Sequence, residues 1–173
     1  LAELLTTGLD KTFTNMNKRI IKTALETLLE QLVDSRENSE DNKEKIKQIE
    51  NDIKNNTYSP VYLFMGEEEY YIDYLTKLIQ NNSLQDHEKD FNLNILYGKD
   101  TLISDIISIS KQYPVMSERK LVVVKEAQDL SKKDVEGNSL DDLLYYVNNP
   151  LNSTILVLNF KHKSLDKRKV IYK

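Results

Sequence analysis

Four short apolar runs, each set off by segments of helical periodicity, limit what this chain can become. VYLFMG (Val61 to Gly66) and LVVV (Leu121 to Val124) are apolar runs of strand length, and TILVLNF (Thr154 to Phe160) is another apart from Thr154 and Asn159, as expected for strands buried on both faces. FNLNILYG (Phe91 to Gly98) alternates apolar and polar residues, which predicts a half-buried strand. Between the runs the period changes. Tyr71, Ile72, Leu75, Leu78 and Ile79 lie at helical spacing within Glu67 to about Gln80. Leu102 to Gln112 reads as a helix that stops before Pro114, and Leu140 to Val147 as another. Ser164 is placed to cap a final helix, LDKRKVIYK. Strands alternating with helices predict an α/β domain: a mainly parallel sheet covered by helices on both faces, built from four strand–helix units between about Ile46 and Lys173.

Upstream the pattern differs. Ile20, Ile21, Ala24, Leu25, Leu28, Leu29, Leu32 and Val33 recur at three- and four-residue spacing, predicting a helix with one apolar face. That face needs a partner, either the α/β domain or a second copy through residues 1–33. DSRENSEDNKEK (Asp34 to Lys45) holds no apolar residue and reads as a linker or exposed turn. A short helix with Ile46, Ile49 and Ile53 then ends before Asn55 and Asn56, and Pro60 disfavours helix at Ser59. The expected division is a helical extension with a polar linker over residues 1–45 and an α/β domain over 46–173.

Composition removes several function classes. The formal net charge of −4, spread over the chain, lacks the concentrated cationic face an autonomous nucleic-acid binder needs. The chain has no Cys, which excludes thiolate metal sites, disulfides and cysteine nucleophiles. No apolar run approaches the roughly 18 residues of a membrane span. The opening LAELLTTGLDKTF lacks signal-peptide character, so a cytoplasmic protein with no membrane association is expected.

The loops that would carry chemistry are short of it. A phosphate-binding loop after the first strand needs several glycines, then Lys and Ser or Thr. Here Gly66 is followed by Glu67, Glu68 and Glu69, which suit the start of a helix and repel a triphosphate. The LVVV strand ends in Lys125, Glu126 and Ala127, where a P-loop ATPase carries an Asp for magnesium. Both halves of an ATP site are therefore degenerate, and no cofactor is expected. His87 and His162, the only histidines, fit no metal pattern and read as surface residues. No G-x-S-x-G or separated carboxylate pair marks a catalytic site, so the chain reads as a non-enzyme. The basic tail Lys161, Lys163, Lys167, Arg168 and Lys169 reads as a solvated helix face; a neighbouring subunit or DNA phosphate is the alternative.

VYLFMGEEEYYID, then YGKD (Tyr97 to Asp100), YPVMSERKLVVVKEAQDL and TILVLNFKHKSLDKRKVIYK follow one another at the spacing of bacterial DNA polymerase III delta subunits. Over residues 46–173 the chain resembles the first domain of that family, in the version found in Bacteroidetes-like bacteria. The resemblance implies an AAA+-like α/β domain whose nucleotide site has been lost. It also implies a role in DNA replication: the clamp-loader arm that binds the sliding clamp and helps to open it without hydrolysing ATP, as a part of the polymerase holoenzyme with no chemistry of its own. Implied partners are the sliding clamp and the other loader subunits, with DNA met indirectly. The family's lid and collar domains have no counterpart here, and residues 1–45 match nothing in it.

The family's clamp-binding element is an exposed apolar wedge before an S-x-R stretch. Carried over, it is Val115 and Met116, with Pro114 before it and Ser117, Glu118 and Arg119 after it. The residues alone give a weaker version: two apolar side chains between a helix stop and a charged turn, either exposed or packed under the sheet. Met suits a pocket of variable shape. Two further readings stay open on the sequence: a nucleotide-binding regulator or weak ATPase on a P-loop-like fold, and an oligomerising helical module.

Overall fold

The computed structural model describes residues 32–34, 39–66, 69–132 and 140–161. The amino-terminal apolar helix over residues 20–31, the final helix after Ser164, Glu67, Glu68, His162, Lys163, Lys167, Arg168 and Lys169 lie outside the described residues.

The elements run in the order β1 (Leu32–Asp34), α1 (Ser39–Lys54), β2 (Val61–Gly66), α2 (Glu69–Ser83), α3 (Asp86–Asn92), β3 (Leu93–Tyr97), α4 (Ile103–Ser110), β4 (Lys120–Lys125), a 3₁₀ turn (Ala127–Lys132), α5 (Leu140–Asn148) and β5 (Thr154–Lys161). The five strands form one sheet in the order β1-β2-β5-β4-β3, and every adjacent pair is parallel. This is the α/β architecture the alternating pattern predicts.

The three central strands are mainly apolar because each faces a helical layer on both sides. Tyr62, Phe64, Leu121, Val123, Ile155 and Val157 point to one face and pack with Ile49 and Ile53 of α1 and Ile72, Leu75 and Ile79 of α2. The alternate residues Leu63, Met65, Val122, Val124, Leu156 and Leu158 point to the other, against Ile103 and Ile106 of α4, Leu130, and Leu143 and Val147 of α5. Each such side chain contributes about 1.5–3 kcal/mol by leaving water. One polar pair crosses the first interface: Asn159 Nδ2 donates to Thr76 Oγ1 at 2.9 Å, tying α2 to β5. Among the described residues no helix is long and apolar enough to cross a membrane.

The structure departs from the sequence reading in five places, the first being Lys161, which was read as part of a solvated helix face and instead ends β5, ion-paired to Glu69 and Asp73. Leu32 and Val33, expected on a helical face, form a three-residue edge strand in register with Leu63 and Phe64. β-branched Val beside Leu suits a strand as well as a helix, and the open edge of β2 supplies the partner. The supposed linker is helical from Ser39, so the boundary drawn at Ile46 falls inside α1. A helix needs only one apolar stripe, and its charged turns support each other, as Lys43 does Glu40 at 3.4 Å. Phe91 and Asn92 close a short helix, α3, instead of opening β3. That helix is held by a capping box in which the Gln85 N–H donates to Glu88 Oε2 at 2.8 Å. The 3₁₀ turn after β4 was likewise not expected.

Candidate functional site

Sequence reasoning singled out two regions, and β4 separates them. Its six residues place the segment before Lys120 and the loop after Lys125 at opposite ends of the sheet, roughly 17 Å apart.

At the carboxyl ends of the strands, where open α/β sheets hold ligands, lie Gly66, Lys125, Glu126 and Lys161. Gly66 has φ 143°, a backbone that side-chain-bearing residues rarely adopt. Lys161, at the end of β5, carries a positive charge at this end of the sheet, and it is engaged by two carboxylates. Its Nζ donates to Glu69 Oε2 and to Asp73, both at 2.9 Å, on the first turns of α2. Burial alone lowers the Lys161 pKa, but the hydrogen bonds and charges of the two carboxylates outweigh it and leave the ammonium raised. Lys125 sits 5.8 Å over the Tyr97 ring. Glu126 adopts φ 52°, and its carbonyl presses so closely on Gly98 that a Cβ there would meet it at 2.3 Å. The strand end that carries magnesium chemistry in an ATPase is here packed against the turn after β3. Among the described residues no group of three His, Asp or Glu is arranged to hold a metal ion, and His87 is exposed on α3.

At the other end, residues 111–119 connect α4 to β4. Lys111 N–H closes on the Ile107 carbonyl and Gln112 N–H on the Ile109 carbonyl, which completes the last turn before Pro114. The chain then leaves the surface. Tyr113 is 75% exposed, Val115 50% and Met116 96%. Met116 also has φ 52°, a left-handed conformation that costs a residue with a Cβ about 1–2 kcal/mol. Of the two placements open on the sequence, the exposed one is observed.

Three ties hold this turn. Asn92, the last residue of α3 and fully buried, engages the Val115 backbone from both sides. The Val115 N–H donates to Asn92 Oδ1 at 2.7 Å, and Asn92 Nδ2 donates to the Val115 carbonyl at 2.9 Å and the Glu88 carbonyl at 3.1 Å. The Ser117 hydroxyl accepts the Arg119 N–H at 3.3 Å. It also lies within reach of the Arg119 carbonyl and the Glu88 carboxylate, its single proton serving one of them. The Gln85 N–H first, and Ser117 second, hold the Glu88 carboxyl below its ordinary range. Finally, Arg119 lies 5.0 Å over the Tyr58 ring and donates to Asn56 Oδ1 at 3.1 Å and the Asn56 carbonyl at 3.3 Å. Asn56 is itself fixed at φ 57° by the end of α1, where Thr57 N–H bonds the Asp52 carbonyl and Asn56 N–H the Ile53 carbonyl. Behind the turn, buried Lys120 donates to Gln112 Oε1 at 3.0 Å, and burial lowers its pKa.

The structure therefore brings Pro114, Val115, Met116, Ser117 and Arg119 into one projecting turn beside a groove of about 770 Å³ lined by Asn82, Gln85, Met116 and Glu118, among others. It separates their tasks: Val115 and Met116 face solvent, while Ser117 and Arg119 face the protein. Sequence reasoning missed Asn92, Asn56 and Glu88. Asn92 is 23 residues from the backbone it holds and looked like the polar position of an alternating strand. No local signal marked it.

Comparison with known proteins follows the same segment. The family model described as "DNA polymerase III, delta subunit" matches residues 62–173. A curated relative, DNA polymerase III subunit delta of Bacillus subtilis (strain 168), is 30% identical over 117 residues, 66% of this chain and 34% of its own length. A solved structure, the DNA clamp loader delta protein of Bacillus subtilis, superposes with a TM-score of 0.64 at 27% identity, covering 73% of this chain and 38% of that one. The chain thus spans little more than a third of the relatives it matches.

Proposed function

Because this chain belongs to the DNA polymerase III delta-subunit family, we propose that its α/β domain is the part of a clamp loader that grips the sliding clamp, through Val115 and Met116 and without ATP chemistry of its own. The observation that carries this reading is the geometry of the turn at residues 113–117. Tyr113, Val115 and the nearly fully exposed Met116 stand together on one projecting turn, a small apolar cluster that a partner's pocket can cover. Met adapts to the shape of an apolar pocket, and two anchors of this kind commonly carry most of an interface, each costing on the order of 2 kcal/mol when truncated. Pro114 limits the freedom of the backbone just before them.

The opposite end of the sheet supports the ATP-independent half of the reading. A nucleotide would have to compete with Glu69 and Asp73 for Lys161, and those carboxylates would repel its phosphates. The same two groups disfavour a nucleotide-binding regulator or weak ATPase. The other loader subunits would be met by the remaining length seen in the relatives.

The test is a binding titration of the full chain on the cognate sliding clamp, with Val115→Ala/Met116→Ala as the variant. Binding is expected for the wild type and is lost in the double variant, whose circular dichroism stays unchanged. Undiminished binding by that variant removes the site assignment.

A further inference from the structure

We infer that Asn92 is a positioning residue for the projecting turn: it never meets the partner, yet it sets how well Val115 and Met116 bind. The inference rests on the clamp-binding reading of that turn. Asn92 is fully buried, so direct contact with a partner is closed to it. Its amide satisfies both backbone groups of Val115, at 2.7 and 2.9 Å, and anchors itself on the Glu88 carbonyl at 3.1 Å. Only a side chain with an acceptor and a donor on one planar head can do this, and Asn meets the requirement at the shortest reach.

The consequence falls on Met116. A left-handed methionine with almost no side-chain contact has nothing of its own to hold it there. The neighbouring residue supplies the restraint. With Val115 clamped in front and Arg119 fastened to Asn56 and Tyr58 behind, the chain between them has little room except to bulge outward. The turn is thereby organised before any partner arrives, and the ordering cost of binding is met during folding. If the clamp is removed, the presenting conformation becomes one of several. When it falls to about a tenth of the population, apparent affinity falls about tenfold.

Binding of the full chain to the cognate sliding clamp, measured for wild type, Asn92→Ala, Met116→Ala and Asn92→Ala/Met116→Ala, tests this. Asn92→Ala is expected to weaken binding about tenfold in the wild-type background and by clearly less once Met116 is gone. A residue acting on overall stability alone would give the same loss in both backgrounds, and that result overturns the inference. So does an Asn92→Ala affinity equal to wild type. A wild type that does not bind the clamp ends the clamp reading itself, a different failure. If Asn92→Ala does not fold, amide hydrogen exchange on the unmodified protein decides: the Val115 N–H is expected to be protected well beyond those of Met116 and Glu118, and exchange as fast as theirs refutes the tie.

Discussion

Replacing Met116 with glycine should stabilise this protein while destroying the contact it is proposed to make. The Met116 side chain is 96% exposed, so removing it forfeits almost no buried apolar surface. Its backbone sits at φ 52°, where a Cβ costs about 1–2 kcal/mol. Glycine removes that cost but is freer in the unfolded chain, which returns roughly 0.5–1 kcal/mol. The balance is a gain of about 0.5–1 kcal/mol, or a thermal midpoint raised by about 1–4 °C for a chain of this size. Met116→Ala is the control: it keeps the Cβ and its strain and should lie within about 0.5 kcal/mol of wild type. Urea denaturation of the three proteins, followed by circular dichroism, measures the difference. A glycine variant less stable than the alanine variant would refute the argument, because position 116 would then not be left-handed in solution. Both variants should bind the clamp weakly. A site that is more stable once its protruding residue is gone is one kept for contact rather than for folding.

Two further outcomes follow from the opposite end of the sheet. Gly98→Ala places a Cβ 2.3 Å from the Glu126 carbonyl, and the backbone must shift to admit it; a loss of about 1–3 kcal/mol in urea denaturation is expected, and a neutral result would mean that the two turns are not packed as described. For Lys161, whose folded pKa is raised, the stability it contributes is complete below the unfolded value of about 10.4 and fades as pH rises through the higher folded value. The difference between wild type and Lys161→Gln should therefore be constant near neutrality and shrink at strongly alkaline pH; a difference that persists unchanged there would show that Glu69 and Asp73 do not hold the ammonium.

Much of the fold was legible because each central strand is buried on both faces, and such strands announce themselves as mostly apolar runs. VYLFMG, LVVV and TILVLNF needed no context beyond length. The misreadings fall where burial is one-sided or absent. Phe91 and Asn92 extended the alternation of β3 backwards, yet Phe91 is largely exposed and Asn92 points inward to a loop. The charged start of α1 showed no apolar stripe and so looked like linker. Leu32 and Val33 fit helix and strand patterns alike, and only the free edge of β2 decided between them.

The projecting turn divides the same way. Its location was set by the sequence: a proline stop, two apolar residues and a charged turn before a strand. Local sequence also supplied the residues on which the ATP-independent reading rests: glutamates after Gly66, and Lys125 and Glu126 at the end of β4. Whether Val115 and Met116 would face solvent or core was not decided there, because that depends on groups 23 and 63 residues away, Asn92 and Asn56, which hold the flanking residues Val115 and Arg119. Periodicity reports which faces of an element are apolar. Which backbone groups a distant amide or guanidinium will satisfy is settled only when the chain closes, since a buried hydrogen bond acts over about 3 Å and carries no trace along the sequence.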